Sequence, residues 1–152
     1  MSFVCDVMLG KLARWLRILG FDTIYFRDID DNELIKVALQ QARILLTRDT
    51  GIARRRRMQT LILIHSNNTL EQLKEVLSAL NTFESNLPPR CPLCNGRLIG
   101  AETEAVADRI PEYVLLHAAP FFTCGECGKV YWCGSHKKSI EAILKKISCG
   151  GP

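Results

Sequence analysis

Two Cys-x-x-Cys pairs, Cys91-Pro-Leu-Cys94 and Cys124-Gly-Glu-Cys127, are the residues whose type and spacing point most directly to chemistry. Each pair brings two thiolates within reach of one ion, and zinc takes four such ligands in a tetrahedron. Asn95-Gly96, Gly125 and Gly128 supply the permissive backbone that tight knuckle turns need. A four-thiolate shell leaves no open coordination position, so the ion is read as structural Zn2+, standing in for a small core. A redox dithiol or unligated thiols are the alternative, and the pairing of two knuckles favours the metal. Cys133 and His136 add a Cys-x-x-His spacing that could supply an alternative ligand, although the two knuckles already fill the tetrahedron. His136, Lys137 and Lys138, with Arg90, form a basic set suited to phosphate, or else a solvated surface.

A second constellation is acidic. Asp6 lies near the carboxyl end of a segment that reads as a strand, and Asp31 and Asp49 lie beyond two others. Carboxylates gathered at one place repel each other unless a cation neutralises them, and Mg2+ or Mn2+ is the hard ion that oxygen ligands select. Such a cluster supports in-line phosphoryl displacement. Asp28, Asp30 and Glu33 lie close enough in sequence to add a ligand. Arg48 and the run Arg54, Arg55, Arg56 and Arg57 follow, and would grip a nucleic-acid backbone or form a solvated face. Taken singly, each aspartate has a plainer role: Asp31 as a helix cap, Asp6 as a strand end, Asp49 as the start of a turn.

The elements that position these residues alternate. Residues 3–7 are short and apolar, a buried strand. Residues 9–19 place Leu9, Leu12, Ala13, Leu16 and Leu19 at helical spacing, and Gly20 is set to end that helix. Strands are predicted over 22–26, 43–47 and 60–64. Helices are predicted over 32–41, capped by Asp31, and over 69–80, capped by Thr69, with Glu71, Gln72 or Lys74 solvated. This βα alternation requires crossovers and therefore a parallel sheet with helices on its faces, an α/β fold. Ligands of such sheets bind at the carboxyl ends of the strands, the edge where all three aspartates fall.

Pro88-Pro89 interrupts regular structure and divides residues 1–87 from 88–152. Beyond it the pattern changes to short strands and cysteine knuckles. Segments 97–101 and 113–117 are the candidates for a β-excursion between the two knuckles, and 139–147 reads as a terminal helix. The 152 residues are 47% hydrophobic and 24% charged, which excludes wholesale disorder. No apolar run is long enough to cross a membrane, and the N-terminus shows no signal-peptide pattern. Seven cysteines are an odd count for a disulfide framework. A cytoplasmic protein is the expectation. The net charge of +4 permits a polyanionic partner without demanding one.

The stretches Phe3-Val-Cys-Asp6, Leu9-Gly-Lys-Leu-Ala-Arg-Trp-Leu-Arg-Ile-Leu-Gly-Phe-Asp22, Asp31-Asn-Glu-Leu34 and Ile44-Leu-Leu-Thr-Arg-Asp49 closely resemble the PIN-like ribonuclease domains first named from the C-terminus of a mutator-class exonuclease. In that family a zinc ribbon follows the nuclease-like domain. Here the knuckles and a Val-Tyr-Trp-x-Gly-Ser-His stretch ending at His136 take its place. The resemblance runs to about residue 138. It implies a PIN-like three-layer α/β/α domain over 1–87, a zinc-ribbon module over 88–152, and metal-dependent hydrolysis of RNA. By position the acidic site maps to Asp6, Asp31 and Asp49, with Glu33 as a fourth member. Residues 60–84 contain no aspartate to serve as the late acidic residue that many PIN nucleases carry. RNA, transfer or ribosomal RNA included, is the expected partner. The rival readings are a non-catalytic RNA-binding module and a protein-interaction module with a vestigial acidic cleft.

Overall fold

The apolar residues next to the N-terminus form β1 (Ser2–Cys5), and Phe3, Val4 and Cys5 have no exposed surface at all. A strand sealed in this way is the centre of a sheet. It pairs in parallel with β2 (Asp22–Tyr25) on one side and with β3 (Ile44–Thr47) on the other. β4 (Leu61–Leu63) extends the sheet beyond β3, giving the order β2-β1-β3-β4 with every pair parallel. The α/β expectation is therefore met, with boundaries shifted by a residue or two. The computed structural model describes residues 1–55, 60–81, 87–132 and 142. These divide into two compact units, Met1–Asn95 and Gly96–Pro152. The predicted helix over 139–147 lies outside the described residues, except for Ala142, which is helical.

Helices carry the chain between strands. A 3-10 turn (Val7–Leu9) leads into α1 (Gly10–Ile18), whose buried Leu12, Ala13 and Leu16 are the stripe read from the sequence. α1 packs against β2 and α4 (Thr69–Ala79). α2 (Asp31–Gln40) places Leu34, Ile35 and Ala38 in a core with Val4, Leu45 and Ile52, the last from α3 (Thr50–Arg55). Gly20 ends α1 with φ +91, and a Cβ there would lie 2.4 Å from the Cβ of Leu87. Only glycine meets both demands, backbone and space.

Two caps differ from expectation. Asp30, not Asp31, caps α2: its Oδ1 accepts from the N–H groups of Asn32 (2.9 Å) and Glu33 (3.0 Å). Asn68, not Thr69, caps α4, accepting from Leu70 and Glu71. In both places two adjacent residues are good caps, and the one whose backbone is extended takes the role. Asp31 sits half-buried in the first turn of α2. Gln72 is buried rather than solvated, and donates from Nε2 to the carbonyl of Ser66 at 2.9 Å.

Arg17 is a buried charge at the far end of α1, and three carbonyls satisfy it. Its Nε donates to Thr23 (2.8 Å), and its Nη1 donates to Pro92 (2.9 Å) and Leu93 (3.0 Å). Asn95 adds a second tie, accepting from the N–H of Thr23 (3.0 Å) and donating to Asp22 (2.7 Å). Arg43 grips Asp22 with both terminal nitrogens. Burial works to raise the Asp22 pKa, but the hydrogen bonds from Arg43 and Asn95 and the charges of Arg43 and Arg90 outweigh it and hold the carboxyl below its ordinary value.

The second unit is built on an antiparallel sheet, β5 (Leu98–Ala101), β6 (Phe121–Cys124) and β7 (Val130–Trp132), in the order β5-β6-β7. Two short helices, α5 (Thr103–Val106) and α6 (Glu112–His117), lie between β5 and β6. Segment 97–101 is therefore a strand in its larger part, whereas 113–117 is helical and not a strand. Its Glu-Tyr-Val-Leu-Leu-His run lacks period-two alternation, and Pro111 opens a helical turn by accepting from the N–H of Val114 at 2.9 Å. Among the described residues, Val106, Ile110 and Phe121 form the buried cluster here.

Glu75 of α4 holds the loop that follows β4. Its two carboxylate oxygens accept from the N–H groups of His65 and Ser66, each at 2.8 Å. Partial burial opposes ionisation, yet these N–H groups and the His65 ring prevail and lower the carboxyl below its ordinary 4.5. A lowered folded-state pKa contributes stability that is present above the unfolded value and lost as pH falls through the folded one. Glu75→Gln is expected to lose about 1 kcal/mol at pH 7, discounted for partial exposure, and much less at pH 3. Urea unfolding at the two pH values measures the difference.

Candidate active site and metal centre

The strand order sets where chemistry can happen. From β1 the chain moves outward to β2, then crosses back over β1 to β3. The loops leaving β1 and β3 therefore diverge, and open sheets bind ligands in the crevice at such a switch point. Asp6 is the first residue after β1, and Asp49 follows β3 by two residues. Asp31 begins α2, after the loop that leaves β2. All three aspartates follow the carboxyl ends of three adjacent strands.

Asp6 is buried, with 4% of its surface exposed. A buried carboxylate needs donors, and this one has three. Oδ1 accepts from the N–H of Met8 at 2.8 Å, capping the 3-10 turn. Oδ2 accepts from the Thr47 hydroxyl at 2.6 Å and from the Arg48 N–H at 2.9 Å. The same Thr47 oxygen accepts from the N–H of Asp49 at 3.0 Å. One hydroxyl thus joins the residues after β1 and β3. Asp49 is exposed, and its Oδ1 accepts from Gly51 (2.6 Å) and Ile52 (3.4 Å) at the start of α3. A Cβ on Gly51 would come within 2.8 Å of that oxygen.

In the sequence Thr47 is only the last residue of a strand. Its signal was a hydroxyl at the last position of an otherwise apolar strand, two residues before an aspartate. Arg48 is tied to the edge twice, by its backbone to Asp6 and by its guanidinium to the side chain of Asn67. Asn67 follows β4, the place where a late aspartate is missing, so an amide stands on that part of the edge. Glu33 is exposed and lies 3.6 Å from Lys36, one turn along α2. Arg54 is exposed on α3. The Arg55 side chain, Arg56, Arg57, Cys133, His136, Lys137 and Lys138 fall outside the described residues.

The four cysteines do converge. Among the described residues, Cys91, Cys94, Cys124 and Cys127 are the one group of three or more potential ligands whose donor atoms all lie within 4.8 Å of one another. Asp6, Asp31 and Asp49 share an edge without closing to that degree. The two knuckles repeat one turn. Asn95 N–H donates to the Cys91 carbonyl and Gly128 N–H to the Cys124 carbonyl, both at 2.9 Å. The donor residue has positive φ in each, 69° at Asn95 and 72° at Gly128. The Cys127 N–H points at the Cys124 sulfur at 3.5 Å. A Cβ on Gly96 would sit 2.7 Å from that sulfur, so the position requires glycine. Cys91 and Cys124 are buried, Cys94 and Cys127 exposed. Four soft thiols at this spacing suit a structural metal such as zinc.

With these features in view, comparison with known proteins is decisive at the family level. The chain belongs to the Mut7-C RNAse domain family, whose model matches residues 1–144. Ribonuclease-like function is the general assignment that follows. No curated protein and no solved structure matches the chain. No helix among the described residues is long and apolar enough to cross a membrane.

Two outcomes are expected. Metal analysis of the purified protein should find a single tightly held zinc, and Cys124→Ser should lose it together with the order of β6, read by circular dichroism and thermal unfolding. Thr47→Val keeps shape but removes a donor from buried Asp6 and an acceptor from Asp49. It should cost about 1–3 kcal/mol in denaturant unfolding.

Proposed function

We propose that this chain is a metal-dependent endoribonuclease, with its active site at the carboxyl edge of the parallel sheet. The observation that carries the reading is the joining of Asp6 and Asp49 through Thr47 at the β1/β3 switch point. Family membership adds the substrate class.

Asp6, Asp31 and Asp49, with Glu33 beside them, would hold Mg2+ or Mn2+. The donor set fits, since all are carboxylate oxygens, the ligands hard divalent ions select. Asp49 is exposed, and its Oδ2 has no hydrogen-bond partner among the described residues. Such an ion supplies Lewis-acid stabilisation of charge as one phosphate oxygen is exchanged for water. The protein's own part is to orient. Thr47 and the Arg48 N–H hold Asp6 in one rotamer, and the Gly51 N–H fixes one oxygen of Asp49. Pre-set ligands avoid reorganisation during reaction. Arg48 and Arg54–Arg57, and from the second unit His136, Lys137 and Lys138, are the groups assigned to the RNA backbone. We further assign the first 87 residues to a PIN-like α/β/α nuclease domain and residues 88–152 to the zinc-ribbon module. The protein is expected in the cytoplasm, acting on structured RNA of the transfer or ribosomal class.

The test is cleavage of a pool of structured and single-stranded RNA with Mn2+, with Mg2+ and with EDTA. Cutting is expected with metal alone, and both Asp6→Asn and Asp49→Asn should reduce it by about a hundredfold or more while retaining zinc and fold. Cutting that survives both substitutions removes the site assignment. Binding without any cutting moves the protein to a non-catalytic RNA-binding role. Failure to bind RNA even at low salt favours a protein partner.

A further inference from the structure

A cavity of about 460 Å3 runs along α1 beside β2, from Gly10 near the acidic edge to Arg17, Pro92 and Leu93. Its wall includes Gly10, Lys11, Arg14, Arg17, Tyr25 and Arg27, with no carboxylate among its lining residues. Lys11 and Arg14 stand three residues apart on α1, so they share a face, and Arg27 faces them from just beyond β2. All three are exposed, and none has an ion-pair partner among the described residues. Arg17 is different: the carbonyls of Thr23, Pro92 and Leu93 occupy it. It therefore shapes the floor and leaves the other three cations to a ligand. Like charges gathered around a concavity are unfavourable until an anion enters.

Tyr25 packs closely on Gly10 at the cavity wall. A Cβ there would lie 2.9 Å from Cζ of Tyr25, whose ring forms the wall and whose hydroxyl donates to the Val7 carbonyl at 3.1 Å. Val7 follows Asp6 directly, so the tyrosine ties the cavity to the backbone of the acidic edge.

We propose that this cavity is a phosphate-binding site for an RNA strand, taking phosphodiester groups on Lys11, Arg14 and Arg27 as the strand approaches the acidic edge. The size suits one nucleotide unit, and Tyr25 offers an aromatic surface for its base. The substrate class rests on the ribonuclease reading, whereas the affinity for phosphate stands on the cavity alone.

The experiment measures binding of a fluorescein-labelled 15-nucleotide single-stranded RNA by anisotropy in EDTA, over a range of salt. Wild type is compared with Lys11→Gln/Arg14→Gln/Arg27→Gln, with Lys129→Gln as an exposed-lysine control, after thermal unfolding confirms that each is folded. The triple variant is expected to bind about tenfold or more weakly, with a shallower dependence on salt by roughly two ions; Lys129→Gln should match wild type. The single substitutions, each too mild to unfold the chain, should give partial losses in the same direction. Unchanged affinity and slope in the triple variant would overturn the proposal, as would absence of RNA binding by wild type. If ADP displaces the RNA as effectively as unlabelled RNA does, the site belongs to a free nucleotide and the strand assignment fails. Binding is read in EDTA and cleavage with metal, so failure of the catalytic reading and failure of this site appear in separate assays.

Discussion

A buried carboxylate is the constraint around which the first unit is arranged. Asp6 leaves the most enclosed strand of the sheet and keeps only 4% of its surface. An ionised group placed there is tolerable only if donors replace water. The 3-10 turn after β1, the last residue of β3 and the residue after it all contribute one donor. The start of α1, the end of β3 and the turn into α3 are thereby set relative to a single side chain. Thr47 extends this order to Asp49 by using its oxygen both as donor and as acceptor. Satisfying Asp6 and building the edge where a polyanion would react are one structural event.

The opposite end of the same sheet has a matching arrangement of reversed sign. There Arg17 is the buried charge, and carbonyls of β2 and of the first cysteine knuckle receive it. Asp22, Arg43 and Asn95 complete the tie. Asn95 does two things there: its left-handed backbone closes the knuckle, and its side chain bonds to β2. The knuckle that offers Cys91 and Cys94 is thus prepared by the fold of the first unit. In the second unit, whose core among the described residues is Val106, Ile110 and Phe121, a bound metal would add order.

Patterned features were legible along the chain. The apolar stripes of α1, α2 and α4, the short strands between them and Gly20 as a stop gave the βα alternation, and alternation of that kind leads to a parallel sheet. The two Cys-x-x-Cys pairs marked out a group of four potential metal ligands because each spacing is local. Local rules failed where two residues could serve equally well. Asp30 beside Asp31, and Asn68 beside Thr69, are adjacent caps, and the turn geometry chose between them. The long gap between the knuckles suggests a strand over 113–117, but the turn opened at Pro111 makes that segment helical.

What the sequence determined by itself was most of the set of parts: the strands and helices of the first unit, the four thiols that group together, and the aspartates that lie beyond strands. These follow from periodicities and spacings over a few residues. Only the tertiary structure decided which parts meet. That β1 lies between β2 and β3, so that Asp6 and Asp49 flank the switch point, is set by strand order, which no local pattern encodes. Thr47 as a bridge, Arg17 as a buried anchor and the cationic cavity below Tyr25 depend on contacts between distant residues. Their side chains look ordinary in sequence, because a hydrogen bond across the fold depends on position in space and leaves no periodic trace in the chain.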